Sequence, residues 1–186
     1  MKKMPCLFKR IFHDGGSFTL TETVTPGCEW VLAGEGVATK KFDGSATLVK
    51  GGKLFKRYDA KHGKTPPPGW VSCGGADAIT GHNPGWIEVT NLPDEKWHIQ
   101  AWAVPLMPHQ LQEGTYELCG PKIGANKEKL DKHYLLRHGS VVYYGIHRTF
   151  EGVKKFLKEN IIEGIVFHHD DGRMCKIRRN DFGFNW

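Results

Sequence analysis

Two glycine-bearing dipeptides constrain this chain most, because each sits between runs that pair naturally back on one another. Gly51-Gly52 separates residues 41–50 from 53–59, and Asp171-Gly172 separates 163–170 from 173–178. Both dipeptides tolerate the positive φ angles of a two-residue hairpin loop. The first loop pairs Lys50 with Lys53 and sets Arg57 opposite Ala46. An unbroken strand would then leave Lys41 on the other face, so for both to serve one site the chain must bend near Asp43-Gly44, where glycine permits it. The second loop, read as two residues, sets Phe167 opposite Lys176 and Ile165 opposite Arg178. Glu163 lies further along the same side, while Val166, Cys175 and Ile177 read as the core face.

Elsewhere Phe18, Leu20 and Val24 alternate with threonines, as in a strand. A helix is predicted over about 126–137. A second starts at a capping Thr149, buries Phe150, Val153, Phe156 and Leu157 at helical spacing, and ends near Asn160. Residues 61–85 contain Pro66-Pro67-Pro68-Gly69 and Asn83-Pro84-Gly85 and read as a loop-rich surface insertion. The fold class is therefore α+β with antiparallel sheet, and 186 residues suit one domain spanning 1–186.

The charge balance, 26 Lys and Arg against 20 Asp and Glu, favours a polyanionic partner, and by itself suits an anionic membrane surface or an acidic protein equally well. Residues 1–12 carry Lys2, Lys3, Lys9 and Arg10 and lack the apolar core of a signal peptide, and no run approaches a membrane span. The five cysteines are an odd set with scattered spacing, which fits a reducing, intracellular, cytoplasmic setting. Gly34-x-Gly36 lacks the third glycine of a kinase loop, and no P-loop sequence occurs. Cys-x₂-Cys and His-Glu-x-x-His are absent, and His168-His169 alternate across a strand, which argues against zinc. Tryptophans among the basic residues of 61–102 read as RNA-stacking groups or as core and loop anchors.

An acid and two cations on one sheet face suit a salt-bridged surface or an anion site in which Lys and Arg hold phosphate oxygens and a carboxylate recruits a divalent cation. The wider set favours the second reading. Lys41-Phe42-Asp43-Gly44, Arg57, Tyr116-Glu117-Leu118-Cys119-Gly120-Pro121-Lys122, Glu163-Gly164-Ile165-Val166 and Lys176-Ile177-Arg178 follow the order found in covalent nucleotidyltransferases. With the closing Lys-Ile-Arg-Arg-Asn-Asp-Phe-Gly and the stretch Thr80–Trp86, the chain resembles a small ATP-dependent 5′-3′ RNA ligase over about residues 30–184.

That resemblance implies an antiparallel-sheet nucleotidyltransferase, or adenylation, domain of the ligase and capping-enzyme type. Many relatives continue into an OB-fold or helical domain, whereas this sequence ends eight residues after Arg178. The expectation is therefore no appended C-terminal OB-fold or helical domain, as a minimal enzyme or a shortened chain, and a monomer. The resemblance makes Lys41 the nucleophile that takes AMP from ATP, with Lys176 as a second catalytic cation. Arg57, Glu117, Glu163, Lys176 and Arg178 would bind the nucleotide, and Glu163 with Glu117 would hold Mg²⁺ or Mn²⁺. Arg178 stands where relatives usually carry a second lysine. His138, Tyr143 and Tyr144 are candidates for stacking on adenine. The expected partner is RNA with 5′-phosphate and 3′-hydroxyl ends, with no membrane. DNA ligase and capping guanylyltransferase are the alternatives within the enzyme class. A nucleic-acid-binding module that has lost its chemistry is the alternative outside it.

Overall fold

A computed structural model of the chain describes residues 3–77, 80–104 and 111–186, so Lys2 and two positions of the 61–85 stretch lie outside the described residues. In chain order the strands are β1 (Phe8–Phe12), β2 (Phe18–Val24), β3 (Val37–Lys41), β4 (Ser45–Lys50), β5 (Lys53–Ala60), β6 (Val71–Ser72), β7 (Asn83–Glu88), β8 (Gly114–Cys119), β9 (Tyr134–Arg137), β10 (Val142–Tyr143), β11 (Gly164–His168) and β12 (Met174–Arg178). The helices are α1 (Glu29–Leu32), α2 (Lys96–Ala103) and α3 (Phe150–Glu159). Contacts gather these elements into two compact units, one of Lys3 with Asp43–Arg137, the other of Met4–Phe42 with His138–Trp186.

The unit holding residues 43–137 is built on an antiparallel six-stranded sheet of order β6-β7-β5-β4-β8-β9. Val49, Leu54, Tyr116, Leu118 and Leu135 bury one set of alternate side chains together with Ala101 of α2. The β4–β5 hairpin has the register expected from the sequence, Lys50 opposite Lys53, with Gly51 and Gly52 at φ 58° and 71°. Asn83-Pro84-Gly85, expected as loop, instead opens β7 and pairs with residues 58–60 of β5. The reason is packing on a bare backbone. A Cβ at Gly85 would lie 2.1 Å from Trp70 Nε1, so the missing side chain lets that indole, which donates to the Tyr58 carbonyl at 3.1 Å, cover the strand.

The helix predicted over 126–137 does not form. Asn126 and Lys129 adopt positive φ of 49° and 54°, and the Asn126 amide both accepts from Leu130 N and donates to its carbonyl. That bracket competes with helical bonding. Tyr134–Arg137 then pair with β8, where Leu135 reaches the core.

The other unit combines the β1–β2 hairpin with a four-stranded antiparallel sheet of order β10-β3-β11-β12. Thr149 caps α3 by accepting from Gly152 N at 3.1 Å, and Val153 and Leu157 are buried, as the sequence spacing predicts. Phe150 of α3 meets Phe8 edge-to-face at 5.0 Å, and Ile165, Phe167, Cys175 and Ile177 complete this core from the sheet.

The β11–β12 register departs from expectation by one residue. Gly164 stands opposite Arg178, Ile165 opposite Ile177, Val166 opposite Lys176 and Phe167 opposite Cys175. The loop has three residues, because His169 pairs with Arg173 and Gly172 closes it at φ 88°. Asp171 stabilises this longer loop by accepting from Arg173 N at 2.9 Å and from its guanidinium at 2.7 Å. A one-residue shift exchanges the faces: Ile165 and Phe167 join Cys175 and Ile177 in the core, and Val166 moves to the side of Lys176 and Arg178.

Candidate active site

The shifted register is what assembles the cations. β11 also pairs with β3, setting Lys41 opposite Gly164 and Thr39 opposite Val166. Directly opposite residues share a face. One row across three strands therefore reads Lys41, Gly164, Arg178, and the next reads Thr39, Val166, Lys176. Lys41, Arg178 and Lys176 share a face that a two-residue loop would have denied them. Lys40 lies opposite core-facing Ile165 and rests its ammonium over the Phe42 ring, 5.2 Å from the centroid. Gly164 keeps the centre of the first row clear, since a Cβ there would lie 2.3 Å from the Ile177 carbonyl oxygen.

Glu163 precedes β11, and its carbonyl accepts from Arg179 N. Its carboxylate Oε2 accepts from Lys41 Nζ at 2.6 Å, with side chains 14% and 19% exposed. The acid predicted to stand beside Lys176 and Arg178 thus holds the third cation, Lys41. Burial lowers the Lys176 pKa below the ordinary lysine value, and the nearby Lys41, Arg178 and Arg10 lower it further, while Glu163 opposes them.

Arg57 and Glu117 lie in the other unit and form a comparable row there. Ala46 stands opposite Glu117, and the β4–β5 register continued by one residue sets Ala46 opposite Arg57. A small residue again separates two charged ones. Arg57 Nε donates to Asp59 Oδ1 at 2.6 Å, and Glu117 is 8% exposed. Between these rows the chain changes sheet, since β3 ends at Lys41 and β4 begins at Ser45 in a different sheet.

Of the three adenine-stacking candidates, Tyr143 packs edge-on against Phe156 at 5.1 Å and Tyr144 is 88% exposed. His138 lies near His168, whose pKa burial lowers with His138 adding to the effect. Two groups beside the cations were not singled out from the sequence. Asp181 accepts from Arg178 and from Arg10. The i, i+3 spacing of Arg178 and Asp181 carried a signal, but Arg10 is a pairing between distant parts of the chain that no local pattern reveals.

Comparison with known proteins places these residues in context. Residues 87–186 match a family model described as RNA ligase 1. An RNA ligase 1 of Pongo abelii is 28% identical over 194 residues, covering 80% of this chain and 58% of that protein. The Rattus norvegicus RNA ligase 1 is 28% identical over 158 residues, covering 70% and 47%. That of Danio rerio is 28% identical over 143 residues, covering 57% and 42%. The chain spans about half the length of the curated relatives it matches.

Proposed function

The chain belongs to the RNA ligase 1 family, and we propose that it joins 5′-phosphate and 3′-hydroxyl RNA ends with ATP, through a lysyl-AMP on Lys41 and an adenylated RNA end. The observation that carries this reading is the Lys41–Glu163 contact at 2.6 Å, at the head of a sheet face that also bears Lys176 and Arg178.

In the first step the Lys41 amine attacks the α-phosphorus of ATP. A nitrogen–phosphorus bond forms, the bond to the pyrophosphate oxygen breaks, and pyrophosphate leaves. The amine must be neutral to attack, and Glu163 Oε2 is the acceptor within reach of its proton. Lys176 and Arg178 contribute positive charge toward the phosphate oxygens, Lys176 as a point charge and Arg178 as a planar fork. A phosphate oxygen of the RNA 5′ end then displaces Lys41 from the AMP. Finally the 3′-hydroxyl attacks that 5′-phosphorus, forming the phosphodiester and releasing AMP. Fixing both ends across one adenylate makes the joining step effectively unimolecular. From the resemblance, Glu117 contacts the ribose or a metal, and Arg57 contacts the nucleotide or the RNA 5′-phosphate.

The donor set suits Mg²⁺ or Mn²⁺. Among the described residues no group of three or more His, Cys, Asp or Glu side chains is placed to hold a metal, so an all-protein cage is not formed there. Glu163 offers a hard carboxylate oxygen beside the phosphate-facing cations, with Glu117 as the second candidate. One or two carboxylates with substrate phosphates and water are the usual Mg²⁺ ligands. The ion supplies charge neutralisation on the reacting phosphates. Among the described residues no helix is long and apolar enough to cross a membrane.

The test is a matched set of nicked and single-stranded substrates carrying RNA or DNA on each side of the junction, incubated with ATP and Mg²⁺. Sealing that requires ribose on the 3′-hydroxyl side, and that weakens as salt rises, is the expected result. Equal or faster sealing of all-DNA ends would move the assignment to DNA ligase. Transfer from GTP to a 5′-diphosphate end would move it to a capping enzyme.

A further inference from the structure

Asp181 is buried, its side chain fully shielded, and it gathers donors from two parts of the chain, residues 6–10 and Arg178. Its Oδ1 accepts from Arg10 Nη2 at 2.8 Å, from Arg178 Nη2 at 3.0 Å and from Arg178 Nε at 3.2 Å. Its Oδ2 accepts from Arg178 N at 2.8 Å, with Cys6 Sγ at 3.8 Å. One carboxylate oxygen therefore anchors two guanidinium groups side by side.

Two guanidinia on one oxygen repel each other and Lys176, and Arg10 is among the charges that lower the Lys176 pKa. With Lys176 itself the cluster holds four cations, Lys41, Lys176, Arg178 and Arg10, against two carboxylates, Glu163 and Asp181. The excess of two positive charges is not balanced within the cluster. Arg10 is also incompletely used. Its Cζ sits over the Phe18 ring at 4.8 Å, only Nη2 bonds to Asp181, and among the described residues its buried Nε has no hydrogen-bond partner. β1 is tied to this place by backbone bonds just before it, Leu7 N to the Lys176 carbonyl at 2.8 Å and Lys176 N to the Pro5 carbonyl at 2.9 Å.

We propose that Asp181 is a positioning residue that fixes Arg178 and Arg10 as a pair of guanidinia, and that Arg10 is thereby a further phosphate-binding residue of the site around Lys41 and Lys176. The pairing also accounts for arginine at position 178, since a guanidinium can hold Asp181 through two nitrogens and present the third, which an ammonium on a flexible stem cannot reproduce. A polyphosphate relieves the repulsion within the cluster, so binding draws on charge already concentrated there.

This inference rests on the phosphate-handling reading of the site above, and its test separates the two. Inorganic tripolyphosphate is titrated calorimetrically into the full chain at low salt, alongside Arg10→Gln, Asp181→Asn, the double variant and Lys9→Gln. Lys9→Gln removes the same charge from the neighbouring, exposed position of β1. Arg10→Gln should weaken binding about tenfold, the equivalent of one charge-assisted hydrogen bond, while Lys9→Gln changes it by less than about twofold. In the Asp181→Asn background Arg10→Gln should change the affinity by less than about twofold, because Arg10 acts through Asp181. If Asp181→Asn does not fold, the comparison of Arg10→Gln with Lys9→Gln decides. Equal affinities for those two variants, or no binding by the unsubstituted chain, overturns the proposal. Binding with the expected Arg10 dependence, but no lysyl-AMP from ATP, would instead overturn the ligase chemistry and leave the phosphate site standing.

Discussion

Gly44→Ala isolates what the glycine at the entry to β4 does. A Cβ at Gly44 would lie 2.2 Å from the Leu118 carbonyl oxygen, 2.9 Å from Cys119 Sγ and 3.0 Å from Glu117 Cγ. The first neighbour is backbone and cannot rotate away. To restore a contact of 3.4 Å the end of β4 must draw back from β8 by about 1 Å, where Ser45 pairs with Leu118. Overpacking costs about 1–3 kcal/mol. Losing one ladder hydrogen bond adds about 1 kcal/mol. The sum of about 2–4 kcal/mol corresponds to a fall in melting temperature on the order of 10–25 °C for a unit of this size. Gly52→Ala is the control, because its φ of 71° is strained for alanine but nothing lies within 4 Å. It should cost only about 1–2 kcal/mol. Far-UV circular dichroism melts and hydrogen exchange of the β8 amides measure both variants. A Gly44→Ala protein that melts at or above Gly52→Ala, with unchanged exchange at Leu118, would refute the close-approach argument.

Further outcomes follow from buried polar groups and caps. Burial alone would raise the Glu95 pKa, but hydrogen bonds from Lys56 and from Leu92 N and Thr90 N outweigh it and hold the carboxyl below its ordinary value. Its stabilisation is therefore complete above the ordinary glutamate value near 4.5 and is lost as pH falls through the lower, folded-state value. Glu95→Gln should cost about 2–4 kcal/mol at neutral pH, and the gap from the unsubstituted chain should close on acidification, as read by urea titration at several pH values. A gap that stays constant from neutral to strongly acidic pH would contradict this. Thr149→Ala removes the bond to Gly152 N and should cost about 1 kcal/mol in the same assay.

Much of this architecture was legible where local chemistry alone decides it. Gly51-Gly52 fixed the first hairpin because both residues take positive φ, and Thr149 with Phe150, Val153, Phe156 and Leu157 marked α3 by cap and spacing. Asp171-Gly172 misled because the same dipeptide serves a three-residue loop once Asp171 captures Arg173. That single residue of register decided which face Lys176 and Arg178 occupy. Residues 126–137 misled because a helical pattern yielded to the Asn126–Leu130 bracket and to pairing with β8. The order of Lys41, Arg57, Glu117, Glu163, Lys176 and Arg178 carried the resemblance on which their proposed roles rest. The Arg10–Asp181 link spans 171 residues and has no sequence signature. α1 and α2, four and eight residues long, are too short for periodicity to announce them.

Lys41 is proposed here as the amine that carries AMP. The most direct measurement is incubation with α-labelled ATP and Mg²⁺, followed by denaturing electrophoresis, for the unsubstituted chain, Lys41→Ala and Lys40→Ala. The expected result is a covalent label on the unsubstituted chain, its loss in Lys41→Ala, and most of it kept in Lys40→Ala, whose side chain belongs to the opposite face of β3. A label that persists in Lys41→Ala, or that disappears only in Lys40→Ala, would contradict it.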